Sequence, residues 1–256
     1  MADWLYVNPA HREMLDRAKL GGLDAWMSAA RGSEGPRDRG ESLAVVELPA
    51  FRVFLKRYRA DGAARLGFLR RSRVRREAEN AMLLRAAGVP TADVVAAGER
   101  RRLGRPVEAF LATREIVGAR ALASLAAEYP PGVRGRRRRE KLALVEKLAL
   151  IVRRMHDAGY VAHDLYVRNV LVTDGPDGSR ALWLIDHPRG SQRLWGRADG
   201  FVRDLACLRR DLPDGVTGAD VARFVKFYLG LRRLDRRAAK FMRAVDGRKP
   251  PRTPER

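Results

Sequence analysis

Three polar residues, Asp164, Asn169 and Asp186, have the types and the spacing that phosphoryl transfer requires. In the segment HDLYVRNVLV, Asp164 lies five residues before Asn169, and Asp186 ends the apolar run LWLID that follows. One carboxylate can orient an attacking hydroxyl group and accept its proton, while an amide oxygen and a second carboxylate can hold Mg²⁺. Oxygen ligands of this kind are those that Mg²⁺ prefers. The alternative is that Asp164 and Asn169 only cap a turn and that Asp186 only begins a loop.

This spacing resembles the catalytic loop and the metal-binding aspartate of the protein-kinase-like fold. The resemblance implies that Asp164 is the catalytic residue and that Asn169 and Asp186 are metal ligands. Two positions depart from the usual pattern. Ala162 stands where the fold normally has a histidine, and Asp186 begins the tripeptide DHP instead of DFG. His163 directly precedes Asp164, which is the wrong position for that histidine, and we therefore expect it to be a packing or loop residue.

A lysine upstream has the surroundings of a phosphate-binding residue. Lys56 lies in FRVFLKRY, where strand alternation puts it on one face with Phe54 and Tyr58. A lysine in such a strand resembles the one that neutralises the α- and β-phosphates of ATP. The alternative is one more solvated lysine in a basic chain.

The predicted helix REAENAMLLRAAGVP offers two acidic partners for this lysine, Glu77 and Glu79. We prefer Glu77, because in related kinases the partner lies about three turns before the glycine that ends this helix, here Gly88. Glu79 would lie about 200° further round the helix axis, on nearly the opposite face. For either residue the alternative is a solvated charge on the helix surface.

The candidate residues fall in two parts of the chain with different predicted structure. Lys56 lies in a part that predicts mainly strands, whereas Asp164, Asn169 and Asp186 lie in a part that predicts mainly helices. SLAVVEL and FRVFLKRY predict two antiparallel strands joined near Pro49, and a helix and two more strands follow. From Ala119 onward the pattern predicts a helix over ALASLAAEY, a long amphipathic helix over RRRREKLALVEKLALIVRRMHDAG, and two more helices over ADGFVRDLACLRRDL and DVARFVKFYLGLRRLDRRAAKFMRAV. One hairpin, over VRNVLVTDGPDGSRALWLID, interrupts them. The sequence therefore predicts a two-lobed α+β protein with a β-rich N-lobe and a mainly helical C-lobe.

We expect four segments along the chain. A helical N-terminal extension and a loop occupy residues 1–39, and the ATP-binding N-lobe with its helix occupies residues 40–117. The C-lobe, with the catalytic loop, occupies residues 118–246. The tail over residues 247–256 is expected to be disordered, since it is rich in proline and charge.

The resemblance extends beyond the catalytic loop. Over roughly residues 40–230 the chain resembles the Kdo/WaaP-type lipopolysaccharide kinase family, in a series of segments that follow in the same order: GVPTADVVAAGER, FLATREIVGA, HDLYVRNVLV, LIDHPR and VRDLACL. The resemblance implies that FLATREIVGA is a hinge, where main-chain groups around Glu115 and Val117 meet the adenine. It also implies that Asp204, in VRDLACL, anchors the catalytic loop and has a structural role.

What this resemblance implies is phosphorylation of a sugar hydroxyl, on Kdo or heptose of the lipopolysaccharide core, with ATP and Mg²⁺ as cofactors. The expected location is the cytoplasm, at the periphery of the inner membrane. No apolar run reaches the ~18 residues of a membrane-spanning helix. The one cysteine, Cys207, excludes an intrachain disulfide and a cysteine-rich zinc site.

The charge of the chain agrees with an anionic substrate. The 256 residues include 52 Lys and Arg against 31 Asp and Glu, a formal net charge of +21. Basic runs such as RGRRRREK, RLGFLRRSRVRR and RRLDRR can meet anionic lipid or phosphorylated sugars, although solvated helix faces explain such runs equally well. Nucleic acid is not an expected partner, because aromatic residues do not interleave these runs.

Three other functions fit the same core residues. A small-molecule phosphotransferase is disfavoured, since such enzymes usually have acidic clefts for cationic substrates. A protein kinase is disfavoured because only 70 residues follow Asp186 and no A-P-E segment is present. The third is a degenerate kinase fold that serves as a binding module for anionic partners.

Overall fold

A six-stranded antiparallel sheet forms the centre of the first part of the chain. The computed structural model describes residues 3–29, 35–37, 41–59, 71–192 and 197–248. The chain divides into two units, Met1–Leu83 with Ala92–Ile116 and Leu84–Thr91 with Val117–Arg256. Sheets and helices occur in both units, which confirms the predicted α+β class.

The first unit contains both predicted strand pairs and the predicted helix. Its strands are β1 (Trp4–Val7), β2 (Gly35–Arg37), β3 (Glu41–Glu47), β4 (Arg52–Arg59), β5 (Val94–Arg102) and β6 (Arg105–Arg114). They lie in the sheet in the order β1-β5-β6-β4-β3-β2. Its helices are the 3₁₀ turn Pro9–His11, α1 (Arg12–Arg17), α2 (Leu23–Ser28) and α3 (Arg73–Ala86), whose end from Leu84 onward belongs to the second unit.

Strand β4 shows the alternation that the sequence predicts. Val53 and Leu55 are fully buried on one face, whereas Phe54 is 39% exposed on the other, the face that carries Lys56. Because β4 lies between β3 and β6, its neighbours hold Lys56 in register, opposite Leu43 on one side and Leu111 on the other. The lysine is thus placed by an interior strand.

Apolar side chains cover both faces of this sheet. Helix α3 packs on one face through Val74, Ala78 and Ala81, which recur at the spacing of one helix face. Helices α1 and α2 cover the other face, where the Trp26 ring stacks on Phe110 with the ring centroids 5.5 Å apart. A Cβ atom at Gly98 would lie 2.5 Å from the Phe110 ring, so this strand position requires glycine.

The N-terminal segment contains the helices expected over residues 1–39, α1 and α2, and two strands that were not expected. It begins with β1, an edge strand that pairs antiparallel with β5, from Trp4 opposite Glu99 to Val7 opposite Ala96. Four residues are too few for alternation to be recognised against the longer helical pattern that follows. In the expected loop, β2 pairs with β3 at the other edge of the sheet, a position where Pro36 is tolerated.

The second unit is mainly helical, with short strands. Its strands are β7 (Arg120–Ala121), β8 (Tyr160–Val161), β9 (Val170–Asp174), β10 (Arg180–Leu184) and β11 (Ser191–Gln192). Its α-helices are α4 (Gly135–Asp157), α5 (Arg197–Arg210), α6 (Gly218–Leu229) and α7 (Arg236–Asp246). Strands β9 and β10 form the predicted hairpin, and the predicted long amphipathic helix is α4, whose buried residues include Leu144, Leu148 and Val152.

Two helices of the second unit differ from their predicted form. The expected helix ALASLAAEY is a 3₁₀ helix over Leu122–Glu128, which Pro130 and Pro131 prevent from extending. The helical stretch from Asp220 to Val245 is broken where Gly230 adopts φ 67° and ends α6. Asp235 then begins α7 by accepting a hydrogen bond from the Ala238 N–H.

Several further expectations concern the ends and the surface of the chain. Of the expected disordered tail, residues 249–256 lie outside the described residues, as does the part of RLGFLRRSRVRR before Arg71. Among the described helices, none is both long enough and apolar enough to cross a membrane.

Cys207 is buried in α5. Burial raises the pKa of its thiol to about 11, which makes it a poor nucleophile at neutral pH.

Candidate active site

In the first unit the structure brings Lys56 and Glu77 together. The Lys56 Nζ atom donates a hydrogen bond of 2.5 Å to Oε1 of Glu77. The Glu77 side chain is 9% exposed and that of Lys56 is 30% exposed. A charge-assisted hydrogen bond to a buried carboxylate restricts the lysine to one position.

Glu79, the other acidic residue that the sequence offered, has different partners. Its carboxylate accepts hydrogen bonds from Arg71 at 2.6 Å and from Arg75 at 3.0 Å. Glu79 follows Glu77 by two positions in the helix, and two positions turn the side chains about 200° apart, which accounts for this separation.

A buried glutamate that sequence reasoning missed fixes the beginning of α3. Glu99, on β5, is fully buried and accepts hydrogen bonds of 2.6 Å from the Ser72 N–H and from Nε of Arg101. The Ser72 hydroxyl in turn accepts the Arg75 N–H at 3.0 Å, so that Ser72 caps the helix. By attaching the start of α3 to the sheet, Glu99 helps to set where Glu77 meets Lys56.

The predicted hinge residues, Glu115 and Val117, differ in their surroundings. The main-chain N–H of Glu115 donates to the carbonyl oxygen of Arg52 at 2.9 Å. Its carboxylate accepts two hydrogen bonds from the Arg52 guanidinium, at 2.6 and 2.8 Å. Any main-chain contact of Glu115 with a base must therefore use its carbonyl oxygen. Val117 belongs to the second unit, and it is 78% exposed.

In the second unit, the loop that carries Asp164 connects β8 to the hairpin. Leu165 and Val167 are buried on either side of the loop's centre, whereas the Asp164 side chain is 17% exposed. His163 adopts φ 67°, a left-handed conformation that is uncommon for a residue with a Cβ atom. This backbone turn requires support from the surroundings, because such conformations cost of order 1–3 kcal/mol.

Asp204, on α5, provides that support. It is fully buried, and its two carboxylate oxygens each accept a 2.7 Å hydrogen bond, from the main-chain N–H groups of Ala162 and His163. The contact explains why alanine is sufficient at position 162, since the main chain of that residue forms the bond. This is the anchoring role that the resemblance implied for Asp204.

Two residues that the sequence analysis did not single out, His156 and Tyr228, hold Asp204 in place. Nε2 of His156 lies 3.3 Å from Oδ2 of Asp204, and Nδ1 of His156 lies 2.8 Å from the Tyr228 hydroxyl. Since a carboxylate can only accept, Nε2 carries the proton and Nδ1 accepts from Tyr228. Burial raises the pKa of Tyr228, so that its hydroxyl keeps the proton it donates. Helices α4, α5 and α6 are thereby joined at the catalytic loop.

Replacing Asp204 with Asn is expected to loosen this loop. The amide offers one oxygen for two N–H groups, so that one buried donor loses its partner, at a cost of about 2 kcal/mol. For a chain of this size that corresponds to a Tm lower by roughly 4–8 °C. Hydrogen exchange should become faster at the amides of Ala162 and His163. Asp199, which is exposed on the same helix, provides the control Asp199→Asn. Unchanged exchange at the two amides would contradict the anchoring role.

Asn169 and Asp186 meet at one end of the β9–β10 hairpin. Leu184 pairs with Val170, and the Ile185 N–H donates to the carbonyl oxygen of Asn169 at 2.9 Å. Asp186 follows directly, with φ 63°, a second left-handed residue without glycine's freedom. The hairpin register thus brings together two residues that lie far apart in sequence.

These two side chains fit a magnesium ion by the chemistry of their donors. Asn169 Nδ2 donates to the carbonyl oxygen of Asp164 at 3.4 Å, which leaves Oδ1 as the atom able to ligate a metal. Asp186 supplies a carboxylate. Among the described residues, no group of three or more His, Cys, Asp or Glu side chains is arranged to hold a metal. One or two protein oxygens are nevertheless sufficient for Mg²⁺ when substrate phosphates complete its coordination.

Two further residues lie beside Asp164. Nε of Arg189 is 4.0 Å from Oδ2 of Asp164, and Nε2 of His163 is 3.0 Å from the Ser191 hydroxyl oxygen. Sequence reasoning did not assign Arg189, although its place three residues after Asp186 was a usable signal.

The predicted site residues are divided between the two units. The first unit contains Lys56, Glu77 and Glu115. The second unit contains Val117, Asp164, Asn169 and Asp186.

Comparisons with known proteins identify a family and a fold that this chain resembles. The model of the lipopolysaccharide kinase (Kdo/WaaP) family matches residues 58–228, a range that includes Glu77, Asp164, Asn169 and Asp186. The structure is similar to that of WaaP in complex with acyl carrier protein, at 27% identity and a TM-score of 0.72. The likeness covers 95% of this chain and 97% of the other, and it confirms the protein-kinase-like fold. No curated protein matches the chain.

Proposed function

Since the chain belongs to the lipopolysaccharide kinase (Kdo/WaaP) family, we propose that it transfers the γ-phosphoryl group of ATP, with Mg²⁺, to a sugar hydroxyl of the lipopolysaccharide core. Kdo and heptose are the proposed acceptor sugars. The observation that carries the proposal is the catalytic loop, where Asp204 clamps the main chain beside Asp164 and the hairpin brings Asn169 to Asp186.

Each residue has a proposed role that follows from its chemistry. Asp164 orients the acceptor hydroxyl and accepts its proton. Asn169 and Asp186 hold Mg²⁺, which neutralises charge on the phosphate oxygens when it is bound. Lys56, held by Glu77, neutralises the α- and β-phosphates, and main-chain groups near Glu115 and Val117 contact the adenine.

The departure at position 162 does not argue for a degenerate, inactive fold. Ala162 is buried, and its main-chain N–H forms the 2.7 Å bond to Asp204. The contribution of this position to the loop therefore needs no histidine side chain. The DHP tripeptide likewise keeps the carboxylate of Asp186, which is the group required for a metal.

The acceptor class is tested by measuring how much ATP the intact protein consumes with each of three kinds of acceptor. We expect Mg²⁺-dependent consumption of ATP to rise with core sugars that contain Kdo or heptose, and not with peptides or aminoglycosides. Stimulation by peptides or aminoglycosides alone would favour one of the other phosphotransferases. ATP binding without turnover on any acceptor would favour the binding module.

Replacing Glu77 with Gln is expected to raise the KM for ATP about tenfold, because Lys56 loses its charged partner. Glu79→Gln is a matched control on the same helix, since Glu79 bonds to Arg71 and Arg75 instead, and it should change the KM less than about twofold. Steady-state kinetics with ATP as the varied substrate measure both values. Equal effects of the two substitutions would contradict the role of Glu77.

We place the proposed reaction at the cytoplasmic face of the inner membrane. Support comes from an exposed group of arginines around the start of α4: Arg134, Arg136, Arg137, Arg138 and Arg139. Near an anionic surface each contributes about 1 kcal/mol. Co-sedimentation with vesicles tests this, since binding should require anionic lipid and should weaken when these arginines are replaced by Gln. Equal binding to neutral vesicles would contradict the proposal.

Acyl carrier protein is a proposed protein partner, because the similar WaaP structure contains one. The supporting observation in this chain is an apolar cavity of about 150 Å³ in the second unit, lined by residues that include Leu125, Leu144, Leu205, Phe224 and Phe241. Such a lining suits an acyl chain. Calorimetry should show tighter binding of acylated than of unacylated carrier protein. Equal affinity for both would argue against use of the cavity.

A further inference from the structure

We propose that Arg189 binds an anionic group of the acceptor, a carboxylate or a phosphate ester carried by the sugar that is phosphorylated. The inference rests on the proposed function, since it concerns the chemistry of the acceptor at the same site. It makes Arg189 a residue that determines which sugars the site prefers.

Arg189 lies beside Asp164, the residue that is proposed to orient the acceptor hydroxyl. Its Nε atom is 4.0 Å from Oδ2 of Asp164, at the outer limit of an ion pair, and its side chain is 56% exposed. Within the part of the chain that the structure describes, Asp164 is the one acidic group within ion-pair distance of this guanidinium. Since a guanidinium has five N–H donors in a planar fork, most of its donors remain for a ligand.

The segment that carries Arg189 is fixed at both ends. It begins at Asp186, where β10 has ended, and it leads into β11, which pairs with β8 through Ser191 and Val161. The Ser191 hydroxyl oxygen also lies 3.0 Å from Nε2 of His163, the residue directly before Asp164. The pairing of Ser191 with β8 and the side-chain contact between Ser191 and His163 thus restrict the position of Arg189 relative to Asp164.

The charges at this site explain why a cation is useful there. The carboxylate of Asp164 repels a sugar that carries a carboxylate or a phosphate ester. The planar fork of arginine matches either group in a bidentate contact. A neutral sugar gains nothing from this contact, so Arg189 should favour charged acceptors over neutral ones.

Two simpler roles would act on all acceptors alike. Arg189 could serve only to hold the Asp164 carboxylate, or it could contact only the phosphoryl group that is transferred. In both cases the loss of Arg189 would slow the reaction by the same factor for charged and for neutral sugars. The ratio of kcat/KM between a charged acceptor and its neutral counterpart therefore isolates the proposed role.

Two matched pairs of acceptors provide this ratio. The first is the methyl glycoside of Kdo and its methyl ester, which differ in the charge of the carboxyl group. The second is a heptose phosphate and the same heptose without phosphate. The variants are Arg189→Gln, Arg189→Lys and the charge-matched control Arg210→Gln, at an exposed arginine of α5. Binding of each acceptor is also measured by calorimetry, with Mg²⁺ and a non-hydrolysable ATP analogue.

We expect the intact protein to prefer the charged member of at least one pair. Arg189→Gln should lower that preference about 10- to 100-fold, Arg189→Lys should keep part of it, and Arg210→Gln should leave it unchanged. The pair that shows the effect distinguishes a carboxylate from a phosphate ester.

The inference is overturned if the intact protein has no preference for the charged acceptor in either pair. It is also overturned if Arg189→Gln lowers kcat/KM for the charged and the neutral acceptor of a pair by the same factor. Transfer to sugars without an Arg189-dependent preference would refute this inference and leave the proposed function intact. Charge-dependent binding through Arg189 without any phosphoryl transfer would support the inference and refute the proposed function.

Discussion

Replacing Asp164 with Asn is expected to lower kcat for phosphoryl transfer about 10²- to 10⁴-fold, the usual contribution of a general base. The amide keeps the shape of the side chain and cannot accept the acceptor's proton. The loop should stay folded, because the hydrogen bonds from Ala162 and His163 go to Asp204 and not to Asp164. Initial rates with a core sugar, together with the affinity for ATP, measure the effect.

Asp199→Asn, an exposed substitution on α5, is the control for the lost charge and should leave kcat unchanged. The affinity of the Asp164 variant for ATP should also change little, since the proposed role of this carboxylate concerns the acceptor. A variant that loses ATP binding but keeps kcat at saturation would assign Asp164 to the nucleotide instead. Full activity of the variant would remove it from the mechanism.

The second large effect is expected from Asp186→Asn. A metal ion contributes several kcal/mol to reactions of this class, so the loss of its carboxylate ligand should lower kcat about 10³-fold or more. The part of the ATP-dependent thermal stabilisation that requires Mg²⁺ should disappear as well. Thermal shifts with ATP, recorded with and without Mg²⁺, separate the metal-dependent part from the rest.

Asp177 provides the matched control, since it lies in the turn at the opposite end of the same hairpin and accepts the Ser179 N–H at 3.0 Å. Asp177→Asn should leave the Mg²⁺-dependent stabilisation intact. If Asp186→Asn also leaves it intact, the metal is held elsewhere and the assignment of Asp186 is wrong.

The regular periods of strands and helices predicted on which face of its strand or helix a candidate residue lies. Alternation along β4 put Lys56 on the face of Phe54, and helical spacing separated Glu77 from Glu79. Both results follow from the fixed periods of strands and helices. The β9–β10 hairpin was equally readable, because two apolar runs enclose a turn rich in Asp and Gly.

The residues that support the site could not be predicted in the same way. Glu99 meets Ser72 across 27 residues of sequence, and His156 meets Tyr228 across 72. Such contacts depend on how helices and strands pack, and no period or motif records them. Asp204 was found only through the family resemblance. Strand β1 was missed because its pairing with β5, and not its own pattern, stabilises it.

The central claim is that this protein phosphorylates a sugar of the lipopolysaccharide core. The most direct test supplies γ-labelled ATP and Mg²⁺ with a purified core oligosaccharide and locates the label by mass spectrometry. We expect one phosphate on a Kdo or heptose residue, formed only with Mg²⁺ and lost with Asp164→Asn. ATP hydrolysis with no label on the sugar, in a protein that binds both substrates, would contradict it.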